Sequence, residues 1–512
     1  MKLAIRSLFL FTVLLPVSVA AQVTEDQKLT GSGGGDFAEF GSAVALVETE
    51  AEALALIGAP GDNERGEDAG AVYAYHYDEG TERWVEEAKF WPEKVGENSF
   101  VGFSAALSAD GQLAFVSGLE PGPDTAPLFG RVHIFRRVDG AWVEMTTLAA
   151  SDETPRNAFG CSVAVSADGA VVVIGACGAD GSAPLTGAVY IFRRDKAVEA
   201  WVEEAKLTTE RPCFFNNFGA AVDVSAAGDR VVVGEPCGEG GDPSALHFLA
   251  RSGPPDGPNG GWEREALFDP MNGSAVGLSA EGDLALAGPL FFSTVVVLER
   301  EETVWSETGT ITSDSSSPGG FGEDSIVLNG AFALIGDTGA DIQDNSEGAA
   351  FLFQRGGNGT WIEETMLVAS DGEEFDGFGY AMFLSERFAL VGAPRDDEED
   401  SAVGAVYAFD LARVVPTEQE GPVGSKSVRL STLYPNPSQD EASVMLMLAE
   451  ATKARVAVFD VLGRRVAVLY DGPLGAGAHR LRLDAAALPA GVYVVRAVAG
   501  SERITRTLVV AR

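Results

Sequence analysis

Phe159-Gly160-Cys161-Ser162-Val163-Ala164-Val165-Ser166-Ala167-Asp168-Gly169 reads as a short alternating strand, Ser162–Ser166, running into a tight turn at Ala167-Asp168-Gly169. A second apolar strand follows and ends at Gly175-Ala176-Cys177. After a polar loop comes Ala188-Val189-Tyr190-Ile191-Phe192, a β-branched and aromatic strand. Trp201-Val202-Glu203-Glu204-Ala205-Lys206-Leu207 supplies the fourth. Four short strands with turn residues between them make a single sheet, and such a sheet cannot bury both of its faces alone.

The same order recurs along the chain. The opening element returns at Phe40-Gly41, Val101-Gly102, Phe159-Gly160, Phe218-Gly219, Asn272-Gly273, Phe321-Gly322 and Phe378-Gly379, seven copies spaced 49 to 61 residues apart. The second strand closes on Gly58-Ala59-Pro60, Gly234-Glu235-Pro236 and Gly392-Ala393-Pro394, and the third repeats as Ala71–Tyr75 and Ala405–Phe409. Tryptophan opens the fourth strand at Trp84, Trp142, Trp201, Trp262, Trp305 and Trp361, one copy short. The missing strand stands at the other end, where Glu25-Asp26-Gln27-Lys28-Leu29 matches Glu86–Phe90. The N-terminus is therefore expected to complete the last sheet and close a ring, which removes the open edges of a linear array. The expected fold is all-β, a seven-bladed β-propeller over residues 22–412.

These seven "FG…GAP" copies resemble the FG-GAP repeats of integrin α-subunits and of many bacterial surface proteins. In integrins the turn between the first two strands often carries a calcium loop, D-x-D-x-D-G. The matching turns here, such as Ala109-Asp110-Gly111 and Ala227-Gly228-Asp229, hold one carboxylate or none. Calcium takes six to eight oxygens, so its binding is not carried over to these turns.

A polar stretch with Pro416, Gly421, Pro422 and Gly424 reads as a linker over 413–429. Beyond it, Tyr434-Pro435-Asn436-Pro437, the strand-turn-strand Val458–Val466 around Leu462-Gly463, and Leu488-Pro489-Ala490-Gly491-Val492-Tyr493-Val494-Val495-Arg496 follow in order. Short strands at this density suggest a small Ig-like β-sandwich over 430–512. The segment resembles the type A C-terminal sorting domain of the type IX secretion system. The resemblance implies export across an outer membrane, followed by surface attachment or release, with the secretion machinery as partner.

The other terminus agrees. Lys2 and Arg6 precede the apolar run Leu8–Val19, and Ala20-Ala21 follow, the layout of a secretory signal peptide over residues 1–21. The run is short for a membrane span and broken by Pro16. The formal net charge is −40, yet 12 Lys+Arg face 7 Asp+Glu from Lys426 onward. The acidic excess thus lies in the ring, where it repels nucleic acid and anionic membranes. Only eight lysines occur. Such a surface suits a saline habitat, where ions screen self-repulsion, or simply keeps a large secreted domain soluble.

Export permits disulfides. Cys161 and Cys177 flank one hairpin, while Cys213 and Cys237 bracket the first two strands of the next copy. The expected pairs are Cys161–Cys177 and Cys213–Cys237, one of three possible pairings. The spacing contains no C-x-x-C pair for zinc.

Catalytic signatures are absent from the sequence: no Ser-His-Asp order, H-E-x-x-H or phosphate-binding loop occurs. His133 and His247 stand where sister copies have Tyr73, Tyr190 and Tyr407, a structural aromatic slot. The acidic runs lie in loops: Asp62, Glu64 and Asp68 in the first copy, and Asp396, Asp397, Glu398, Glu399 and Asp400 in the last. The first and last copies adjoin in a ring, so these acids are expected on one rim, as a cation site (calcium being the candidate) or as solvating charge. The chain is expected not to be an enzyme but an exported binding or adhesion protein that presents loops to a protein or glycan. A propeller lyase or glycosidase, or a passive surface coat, is the alternative.

Overall fold

The computed structural model describes residues 22–414, save 34, 122–127, 153, 155–156, 182–184, 196–199, 210–216, 237–243, 253–260, 270–272, 289–293, 314–319, 343–345, 358 and 399–400, and the strands between 428 and 510. The chain divides into two compact units, Met1–Pro416 and Thr417–Arg512. The expected signal peptide and most of the expected linker lie outside the described residues.

Among the described residues the first unit holds seven ring sheets, six of four strands and one of five, and a separate two-stranded hairpin. The third is representative. Phe159–Val165, Val171–Ala176, Ala188–Asp195 and Ala200–Leu207 pair antiparallel in sequence order. Val171–Ala176 is buried throughout. It is sandwiched between neighbouring sheets, and so reads as a continuous apolar run rather than an alternation. The turn before it is closed by Ser166, whose Oγ accepts from Val171 N at 3.0 Å, and by Gly169 at φ +61°. These turns also tie the sheets in series: Ala109 N donates to Ala167 O, Ala167 N to Ala226 O, and Ala226 N to Ala280 O.

The glycines of the two repeat motifs have one shared cause. A Cβ on Gly175 would lie 2.0 Å from the carbonyl oxygen of Gly219 in the next sheet. The same approach occurs between Gly58 and Gly102, Gly234 and Gly273, Gly288 and Gly322, Gly336 and Gly379, and finally between Gly392 and Gly41. The "GAP" glycine of each sheet thus packs on the "FG" glycine of the following one. In the second sheet Ser117 takes that place, and its Cβ fills the space beside Gly160. The last of these contacts joins the seventh sheet to the first.

Gln27–Leu29 supplies the outer strand of the seventh sheet, with Gln27 opposite Ala408 and Leu29 opposite Val406. Gln22–Thr24 runs on to the sixth sheet and pairs parallel to Trp361–Val368 as its fifth strand. Leu29, Phe388, Leu390, Val406 and Ala408 share one buried cluster with Phe40, Tyr73 and Trp84 of the first sheet. The ring is closed by apolar packing as well as by hydrogen bonds.

Between sheets a second tie recurs. Glu204, three residues after Trp201, accepts from Arg251 Nε at 2.8 Å and from the Trp262 indole N–H at 3.1 Å, both in the next sheet. Glu265 does the same for Arg300 and Trp305. Burial opposes charge on both glutamates, but these donors hold their carboxyls below the usual range.

In the second unit, Val428–Leu430, Glu441–Leu448 and Gly477–Asp484 form one sheet. Arg465–Leu474, Thr452–Asp460, Gly491–Ala499 and Glu502–Val510 form another. Leu446 and Leu483 from the first pack with Val456, Val458, Tyr493, Val495 and Val510 from the second.

Candidate functional site

The repeat packs the "FG" aromatic against the aromatic of the third strand, edge-on for Phe40 on Tyr73, Phe159 on Tyr190 and Phe218 on His247, and tilted for Phe378 on Tyr407. The tyrosine hydroxyl then meets a loop carboxylate. Tyr73 donates to Asp62 Oδ2 at 2.6 Å, and Lys89 Nζ stands 2.7 Å from the same oxygen. The Tyr407 hydroxyl, with one proton to give, lies within hydrogen-bond reach of both Asp396 and Asp371, and Lys28 lies 2.8 Å from Asp396 and 2.9 Å from Asp371. Tyr190 and Lys206 converge on Asp152 in the third sheet.

Asp62 and Asp396 are thus buried, at 1% and 2% exposure, and each is faced by a lysine. Glu64 is exposed and pairs with Lys89, whose hydrogen bond lowers its carboxyl. Asp68 is half-buried at φ +50°, its N–H donating to Asn63. Asp397 is exposed in the two-residue hairpin Asp397–Glu398 with Ser401–Ala402. Glu399 and Asp400 lie outside the described residues. The structure joins Asp62 to Glu64 through Lys89 and Asp396 to Asp371 through Lys28. Among the described residues no three carboxylates, histidines or cysteines converge as metal ligands do. Cys161 and Cys177 form a disulfide; Cys213 and Cys237 lie outside the described residues.

The same face carries groups that the acidic runs did not point to. Phe37 and Phe375 stand three residues before Phe40 and Phe378, 64% and 63% exposed, at φ +60° and +72°. Asp376 is pushed up to about 6, chiefly by burial and then by Asp396 and Asp397. Glu323, just after Phe321-Gly322, is pushed up to about 7 by burial and by Asp324 and Asp337. Arg395 bonds through its N–H to the Asp376 carbonyl, and its charge offsets part of the burial that raises Glu39.

Inside the ring runs a channel of about 950 Å³, walled by the innermost strands. Asp223 lies in that wall. Its carboxylate accepts from Val224 N at 2.8 Å and Leu278 N at 2.7 Å. The signal was readable: Asp223 breaks an apolar position of the repeat.

A closed ring of seven such sheets defines a β-propeller. Residues 23–75, 142–192 and 361–409 match the FG-GAP repeat family, and residues 432–511 match the secretion system C-terminal sorting domain. Three stretches of the ring thus carry FG-GAP repeats, and residues 432–511 carry a sorting domain that marks the chain for type IX export to the outer-membrane surface or the medium. No helix among the described residues is long and apolar enough to cross a membrane. No curated protein matches the sequence. Among solved structures, a protein assigned as a 6-phosphogluconolactonase from Bacteroides fragilis is 14% identical over 67% of this chain and 88% of that one, with a TM-score of 0.47. The periplasmic gluconolactonase PpgL of Pseudomonas aeruginosa is 16% identical over 65% and 87%, with a TM-score of 0.45. The Cps50 (Swd1) β-propeller domain of Myceliophteria thermophila is 10% identical over 75% and 99%, with a TM-score of 0.45. Likeness at this level adds nothing to the reading of the site.

Proposed function

We propose that the exported ring is a non-catalytic binding module whose loop face engages a protein or glycan outside the cell. In this reading residues 1–21 direct secretion, 22–412 form the ring, 413–429 are the linker, and 430–512 address the chain to the secretion machinery. The observation that carries it is the pair Phe37 and Phe375, two apolar side chains held out in solvent on left-handed backbone. That conformation costs a non-glycine residue about 1–3 kcal/mol and persists where its surroundings enforce it. Here Gly61 N holds Ala38 O, and Phe375 N holds Ser346 O. Exposed aromatics on a rigid scaffold are the usual anchors of an interface.

The test is adhesion of beads coated with mature protein to glycan arrays and to cells sharing its habitat. The double variant Phe37→Ala/Phe375→Ala should lower adhesion by about tenfold or more, as loss of anchor residues does. Asp110→Ala, in a turn between the first two strands, should leave it unchanged. A folded double variant that adheres like the parent would remove the loop-face reading.

A further inference from the structure

One position of the innermost strands repeats seven times. Opposite Leu56, Phe115, Val173, Val232, Leu286, Leu334 and Leu390, each two residues before the close-approach position, stand Ala45, Ala106, Ala164, Asp223, Gly277, Val327 and Phe383. Six are apolar or glycine, and one carries a charge. We propose that the channel binds an organic ammonium ion with an apolar body, its nitrogen paired with Asp223.

Three observations support the class of ligand. The charged residues lining the channel are Glu48, Glu50, Asp223 and Glu386, all acidic, and no lysine or arginine is among the described lining residues. A cation is therefore drawn in and an anion repelled. Asp223 uses its two backbone N–H donors on about two of the four acceptor positions a carboxylate offers. Burial in the apolar wall pushes its carboxyl up to about 6, against those two hydrogen bonds. A bound cation would relieve that penalty. The wall around it, with Val163, Val165, Val222, Leu328 and Phe383, suits hydrocarbon, and the volume lies in the range of small-molecule sites. A single carboxylate cannot satisfy a hard metal ion, which needs several oxygens. An alkyl or aryl amine fits both the charge and the wall. This inference is independent of the loop-face reading, because the ligand sits inside the ring.

Calorimetric titration of the mature protein with hexylammonium chloride tests it, with hexan-1-ol as the neutral probe and hexanoate as the anionic one. At pH 7.5 hexylammonium should bind one saturable site and hexanol about tenfold or more weaker, the difference a paired charge makes. Hexanoate should not bind. At pH 5 hexylammonium affinity should fall by roughly tenfold, since a carboxyl near 6 is then about nine-tenths protonated. Asp223→Asn should remove the preference for hexylammonium over hexanol, and Ala106→Trp, which fills the channel, should weaken both. Equal affinity for amine and alcohol in the parent would overturn the proposal, as would an unchanged preference in Asp223→Asn or the absence of saturable binding. Should Asp223→Asn fail to fold, the pH comparison and Ala106→Trp decide the matter.

Discussion

Glu204 illustrates how single residues lock neighbouring blades. Its carboxylate is mostly buried, and the Arg251 side chain that it meets is 2% exposed. Removing one partner of a buried charged pair costs about 3–5 kcal/mol, because the other charge stays buried. Glu204→Ala should lower the urea midpoint accordingly, whereas Glu203→Ala, one residue earlier, should cost less. Glu323 should behave in the opposite sense. Its carboxyl titrates near 7 when folded, against a reference of 4.5, so the folded chain holds an extra proton across that window. Stability from this group therefore falls as pH rises from about 4.5 through 7. Glu323→Gln mimics the protonated form; it should raise the melting temperature at pH 8 and leave it unchanged at pH 4. A gain of the same size at both pH values would contradict the assigned titration.

At the scale of elements, the outer strand of the seventh blade is the critical piece. Lys28 sits in that strand and faces buried Asp396. Lys28→Met keeps the packing but leaves the carboxylate without this ion pair, and should destabilise the ring by about 3–5 kcal/mol. A loss within 0.5 kcal/mol, the usual range for surface changes, would mean the closure does not depend on the pair. The closure was legible in sequence because a missing tryptophan strand and a spare N-terminal segment are features of chain order. The glycine motifs were legible as repeats, but not their reason, since each glycine meets a partner in another blade, far along the chain: Gly58 meets Gly102, and Gly392 meets Gly41. Asp62 and Asp396 look like loop surface, and only the fold shows Tyr73, Lys89, Tyr407 and Lys28 closing over them. Phe37 and Phe375 were hidden because exposure of an aromatic is not written in its neighbours. Asp223 was visible in principle, as the one charge in a seven-fold apolar slot, once the inner strands are aligned residue by residue.

The whole molecule combines an acidic ring with a mildly basic tail that carries its address. The ring's acidic excess is a source of self-repulsion that salt screens within about 10 Å at 0.1 M. Ring stability should therefore rise between low salt and 1 M potassium chloride at pH 7.5, read by thermal unfolding; a decline would show that the inter-blade ion pairs outweigh the repulsion. The ring is proposed to work outside the cell, delivered there by residues 430–512. The most direct test is fractionation and protease shaving of bacteria producing the full chain or a chain ending at residue 429. The full chain should appear on the cell surface or in the medium, and the shortened chain should be retained, folded, in the periplasm. Equal surface display of the two would contradict it.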